Sequence, residues 1–155
     1  MLQQRLQELG LELPAAARPL ASYTPARLHN GLVYVSGQLP LKDGALLASG
    51  IAAASARAED LHPAMAQCFL NALAAAALVV ELNQIRGVLR LGAFVASASG
   101  FVDQHKVANG ASDLAVQIFG ESGVHVRAAV GVASLPMNAA VELEVIFLSG
   151  QEGGG

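Results

Sequence analysis

The chain has 155 residues, a hydrophobic fraction of 54%, only 14% charged side chains and a formal net charge of −3. That length fits one domain with room for a real core, and its nine Lys and Arg, spread along an acidic chain, offer no clustered cations to a nucleic-acid backbone. So little charge covers a monomer's surface poorly, which points to self-association, since obligate interfaces resemble a core cut in half, in preference to the bland alternative of an alanine-rich sequence from a GC-rich genome.

In chain order, Leu2, Leu6 and Leu9 recur at helical spacing, and Gly10 offers a stop. Pro14 and Pro19 mark a loop, so residues 1–19 read as an N-terminal helix and loop. Two strands are expected at Ser22–Leu28 and Leu32–Gly37, around Asn30-Gly31. That dipeptide suits a two-residue hairpin turn, which needs φ > 0 at both positions. Lys42-Asp43-Gly44 makes a second turn, and Ala45–Leu47 adds a short strand. Glu59 or Asp60 opens a long helix with Pro63 in its first turn, running to about Leu82. Being apolar nearly all round, it is expected to be buried on more than one side. Arg86–Ser97 reads as a strand, Asp103–Phe119 as a second helix ending at Gly120. Two closing strands, His125–Ser134 and Ala140–Ser149, flank Leu135-Pro136-Met137-Asn138. Residues 150–155 read as a flexible, Gly-rich tail. The order ββ(β)αβαββ describes one α+β domain over residues 1–149, an antiparallel or mixed sheet with two helices on one face.

One cysteine, Cys68, cannot close an intramolecular disulfide and reads as a small core residue. Met1-Leu2-Gln3-Gln4-Arg5 leads into an amphipathic pattern instead of an apolar signal core. The longest apolar run, Ala72–Val80, has nine residues, short of the ~20 that span a bilayer. A cytoplasmic location is therefore expected. His29, His62, His105 and His125 show no ligand spacing, and no Gly-rich phosphate loop is present, so neither metal nor cofactor is expected. His125 reads as a rim residue.

The last two strands carry the candidate chemistry. Val126, Ala128, Val130 and Val132 alternate as an apolar face expected to pack on the helices. Arg127, Ala129, Gly131 and Ala133 form the other face, a guanidinium over a shallow floor of small residues. The planar fork of Arg suits a carboxylate, held by two parallel hydrogen bonds. Glu142 and Glu144 share a face opposite Val141, Leu143, Val145 and Phe147. The plain alternative is a cross-strand ion pair on a solvated face. A simple hairpin centred near Met137 opposes it, because it would separate Arg127 from Glu142 by on the order of 20 Å within one chain. The two could meet only through a bulge, a different strand pairing or a second subunit.

The run Arg127-Ala-Ala-Val-Gly-Val-Ala-Ser-Leu-Pro-Met-Asn-Ala-Ala-Val-Glu142-Leu-Glu resembles the C-terminal block of the RidA/YjgF family, also known as the endoribonuclease L-PSP family. Tyr23, followed by Ser36-Gly37-Gln38-Leu39-Pro40, matches the family's N-terminal block; Asn71 and Asn109 also fit. The resemblance spans roughly residues 20 to 149 and implies a homotrimer of chorismate-mutase-like subunits with clefts between neighbours. It also implies roles: Arg127 holds a substrate carboxylate, Glu142 positions and activates water, and Tyr23, Ser36, Gly37, Asn109 and the backbone near Ala129 line the cleft. Many members carry Cys two residues after the Arg, where this chain has Ala129. The implied activity is that of a 2-iminobutanoate/2-iminopropanoate deaminase, a cofactor-free hydrolase of small 2-imino and 2-enamino acids. The alternatives are a non-catalytic binder of small carboxylates with the same fold and, further off, an endoribonuclease or translation inhibitor.

Overall fold

The computed structural model describes residues 1–16 and 22–150. Asn30 and Gly31 both occupy the left-handed region, at φ 49° and 74°. The turn they form pairs strand β1 (Ala26–His29) with β2 (Leu32–Gln38), His29 opposite Leu32. A small ribbon of β3 (Leu41–Lys42) and β4 (Ala45–Leu46) turns at Asp43-Gly44 in the same way, at φ 52° and 80°. Strands β5 (Ile85–Ala96), β6 (Val126–Val132) and β7 (Val141–Ser149) complete a five-stranded mixed sheet of order β1-β2-β7-β5-β6.

Helices α1 (Leu2–Glu8), α2 (His62–Ala76) and α3 (Gln104–Phe119) stand close to their expected places, α3 stopping at Gly120 in a positive-φ conformation. α2 is buried nearly all round, and its Phe69 meets Phe147 of β7 edge-on, with ring centroids 5.7 Å apart. It ends six residues before Leu82, in i→i+3 bonds from Leu78 to Ala75 and from Val79 to Ala76 that turn the chain toward β5. α1 packs Leu2 and Leu6 into the same core, and Arg5 donates twice to the carbonyl of Gln117 on α3, at 2.9 and 3.1 Å. Among the described residues no helix is long and apolar enough to cross a membrane. Pro19 and the tail from 151 onward lie outside the described residues.

One open alternative is decided, in favour of a different strand pairing, and one expectation is corrected. β6 and β7 are not hairpin partners. β5, twelve residues long, lies between them, parallel to β6 and antiparallel to β7. β5, α3 and β6 form a βαβ unit, and such a crossover delivers its second strand parallel to the first. The faces of β6 are also reversed. Val126 is 64% exposed and Val130 47%, whereas Arg127, Ala129 and Gly131 face α3. Gly131 lies close under the helix: a Cβ on it would lie 2.7 Å from Gln104 Nε2 and 3.1 Å from Ser97 Oγ. The valines therefore lie on the sheet face that bears no helix, together with Tyr34 and an Arg90–Glu144 ion pair at 2.9 Å.

Candidate active site

β7 alternates as the sequence indicates. Val141, Leu143, Val145 and Phe147 are buried, while Glu142 and Glu144 turn to the helix-free face, half-buried. Glu142 sits opposite Phe94 of β5 on one side. On its other side β2 shifts register between Val35 and Gln38, a bulge that carries Ser36 and Gly37. Gly37 is there for close approach, since a Cβ on it would meet Glu142 Oε1 at 2.7 Å. A cleft of about 460 Å³ opens over this point, lined by Tyr23, Ser36, Gly37, Gln38, Met137 and Glu142 among others, with Pro14 and Ala15 of the N-terminal segment on its wall.

Backbone and side-chain bonds fix this wall. Ser36 donates its N–H to Pro25 O at 2.8 Å and its hydroxyl to Thr24 O at 2.7 Å. Asn71 reaches from α2, donating to the carbonyls of Leu39 and Leu41, each at 2.9 Å, and accepting from Gln67 at 2.9 Å. Burial, and then the charge of Glu144, raise the proton affinity of Glu142 above the ordinary carboxylate value. Cys68 is a buried free thiol, pushed up first by burial and then by the charge of Glu142. It sits in the core, as its sequence context indicates.

Arg127 belongs to a second cluster. Its NH1 donates to Asn109 Oδ1 at 2.8 Å and to Ser112 Oγ at 3.0 Å, and its NH2 donates to the carbonyl of His105 at 3.1 Å. These three residues stand at i, i+4 and i+7 of α3, one stripe beside the stripe that packs into the core. Ala129 packs against the core next to Arg127. Three of the five N–H donors of a guanidinium are thereby engaged. Among the described residues the remaining two, Nε–H and one NH2 hydrogen, have no partner, which leaves donors for a carboxylate.

The structure thus gathers the sequence candidates into two groups. Tyr23, Ser36, Gly37 and Glu142 share the cleft; Arg127, Asn109 and Ala129 share the α3 side of β6. The groups face opposite sides of the sheet. Arg127 pairs with Leu91 and Glu142 with Phe94. Two strand spacings and three residue steps put their Cα atoms roughly 14 Å apart, closer than a hairpin would, but still out of reach. Ser112 and Pro14–Ala15 were missed in the sequence. The polar stripe His105, Asn109, Ser112, at i, i+4 and i+7 of α3, was the available signal for the first. His125 is half-buried beside the Arg127 cluster, bonded to Ser112 and Gly123. Among the described residues no three His, Cys, Asp or Glu side chains converge as a metal site.

Comparison with known proteins adds to this geometry. Protein TCP17 of Trypanosoma cruzi is 41% identical over 143 residues, covering 91% of this chain and 89% of that protein. Among solved structures, Atu1372 of Agrobacterium tumefaciens, itself of unknown function, shares 43% identity with a TM-score of 0.84, covering 97% and 94% of the two chains. A protein of Shewanella oneidensis, provisionally described as an endoribonuclease, shares 30% identity with a TM-score of 0.88 over 96% and 99%. The sequence model of the YjgF/chorismate mutase-like endoribonuclease family matches residues 3–149, and with the mixed sheet, the two covering helices and these relatives in hand, the chain belongs to that family.

Proposed function

We propose that the protein is a cofactor-free hydrolytic deaminase of small 2-imino acids and their 2-enamino tautomers, acting in clefts shared between copies of the chain. The observation that carries this reading is Glu142, a half-buried carboxylate of raised proton affinity set in a cleft against Gly37. A general base works best when its pKa is drawn toward the operating pH, and desolvation beside a like charge does that.

Glu142 takes a proton from water as the oxygen adds to the iminium carbon, giving a carbinolamine. The proton passes to nitrogen, the C–N bond breaks as the C=O forms, and the net change is iminium plus water to 2-oxo acid plus ammonium. Arg127 grips the substrate carboxylate through its free donors, and Asn109 and the backbone near Ala129 flank it. Tyr23, Ser36 and Gly37 line the other half. Such imines hydrolyse in water unaided, so a small barrier reduction suffices, each ~1.4 kcal/mol giving tenfold. Positioning and one base can supply it.

The separation of Arg127 from Glu142 on opposite sheet faces supports a site completed by a neighbouring copy. The exposed Val126, Val130 and Tyr34 of the helix-free face supply apolar surface for that contact, and a homotrimer is the assembly the family resemblance implies. RNA cleavage has less support, because the net charge is −3 and cations do not cluster.

The test couples the protein to a PLP-dependent threonine or serine dehydratase and follows 2-oxo acid release against the spontaneous rate. Acceleration that Glu142→Gln removes supports the deaminase. Saturable pyruvate binding without acceleration turns the reading into a carboxylate-binding protein.

A further inference from the structure

The guanidinium of Arg127 ends a directional chain of hydrogen bonds that begins after α3. The carbonyl of Gly123 can only accept, so its 2.6 Å bond puts the ring proton of His125 on Nδ1. In the neutral ring Nε2 is then an acceptor, and Ser112 donates its hydroxyl to it across 2.8 Å. With that proton committed, Ser112 Oγ turns a lone pair to Arg127 NH1 at 3.0 Å. His125 and Arg127 lie two apart on the strand and its approach, Ser112 on the helix above, so the chain ties strand to helix at the arginine. Both His125 and Ser112 are partly buried.

We propose that Ser112 and His125 are positioning residues, which orient Arg127 so that its free Nε–H and NH2 donors face the substrate carboxylate. This rests on the reading of Arg127 as the carboxylate anchor. Asn109 Oδ1 takes one NH1 hydrogen at 2.8 Å and the His105 carbonyl takes one NH2 hydrogen at 3.1 Å. Ser112 takes the second NH1 hydrogen at 3.0 Å, so that NH1 is fully engaged and the tilt of the guanidinium plane against α3 is fixed. His125 does not reach the substrate: it sets the direction of the Ser112 hydroxyl, without which Oγ could present its own proton to the cation. The residues matter to binding of the carboxylate, which is the same in substrate and product, and not to the water-addition step at Glu142.

The test measures kcat and KM on 2-iminopropanoate, made in situ from L-alanine by an amino-acid oxidase, and the dissociation constant of pyruvate by titration calorimetry. Ser112→Ala and His125→Leu are expected to raise KM and the pyruvate constant by roughly 3- to 10-fold, the scale of one hydrogen bond, with kcat held within about twofold. His125→Gln puts an amide oxygen near the place of Nε2 and should stay close to the parent protein. The double variant Ser112→Ala/His125→Leu should be no worse than either single one, because both break one chain. Should His125→Leu fail to fold, Ser112→Ala decides alone, since alanine suits a helix. Unchanged KM and pyruvate affinity in Ser112→Ala, beside a large loss in Arg127→Ala, overturns the positioning role only. Unchanged values in Arg127→Ala as well overturn the anchor reading with it. A fall in kcat at constant KM in Ser112→Ala also overturns the proposal.

Discussion

Replacing Gly37 by alanine should move the Glu142 carboxylate while leaving the fold alone. Gly37 has no positive φ, so its backbone accepts a Cβ without strain. The new methyl would lie 2.7 Å from Oε1, where ordinary contact begins at 3.4 Å. The flexible end of Glu142 must then retreat by about 0.7 Å, and a misplacement near 1 Å in a catalytic group costs on the order of 10²-fold. A drop in kcat of roughly 10- to 100-fold is expected, with a thermal midpoint unchanged or slightly raised, as Gly→Ala restrains the unfolded chain. The dehydratase-coupled assay reads the rate. The same substitution in a Glu142→Gln background separates displacement of the base from crowding of the substrate. If the loss acts through Glu142, it should nearly vanish in that background. An unchanged kcat in Gly37→Ala, or an equal loss with and without Glu142, would refute the reasoning.

Glu142→Gln should keep pyruvate affinity and lower turnover by about 10²-fold, the usual scale for a general base; Glu144→Gln should leave neutral-pH turnover nearly unchanged. The rate should fall on the acid side with a midpoint above the usual carboxylate range, because burial and Glu144 both favour the protonated form of Glu142. Glu144→Gln removes the second of these and also frees Arg90, so the midpoint should move to lower pH. The same raised affinity makes ionised Glu142 a cost to folding: its favourable contribution is complete below its unfolded pKa and is lost as pH rises through the folded value, so Glu142→Gln should be relatively more stable at pH 8 than at pH 4, read by denaturant titration. Arg127→Ala should abolish measurable pyruvate binding by calorimetry with only a small loss of stability, since its bonds to α3 lie on exposed surface. Phe147→Ala, at a fully buried ring against Phe69, should lower stability by about 3–5 kcal/mol by chemical denaturation.

Local features of the fold were legible where one residue type answers one backbone need. Asn30-Gly31 marked its turn through φ, and Gly120 marked the end of α3. Alternation in β7 identified Glu142 and Glu144 as sharing a face, because the apolar Val141, Leu143, Val145 and Phe147 alternate with them in phase. In β6 the same alternation gave the period but not the side. Which face meets a helix depends on how close α3 must come, and Gly131 under Gln104 records that closeness only in three dimensions. The insertion of β5 between β6 and β7 is nonlocal, and no short-range pattern encodes it. The roles of Ser112 and His125 were hidden for the same reason: 13 residues separate them, and each is unremarkable until the helix is laid on the strand.

With β5 held between them, Arg127 and Glu142 of one chain stand on opposite faces of the sheet. A protein carrying only Arg127→Ala and one carrying only Glu142→Gln should each be strongly impaired, yet neither lesion touches the half that the other has lost. Subunits dissociated and reassembled from an equal mixture should regain activity. An intact arginine half then meets an intact glutamate half at roughly one cleft in four, if copies combine at random around a closed ring. Linking both lesions in one chain should allow no such rescue when that chain is mixed with itself. Activity recovered from two impaired parents would make the catalytic unit a junction between molecules, and the gene's dominance behaviour would follow from that geometry.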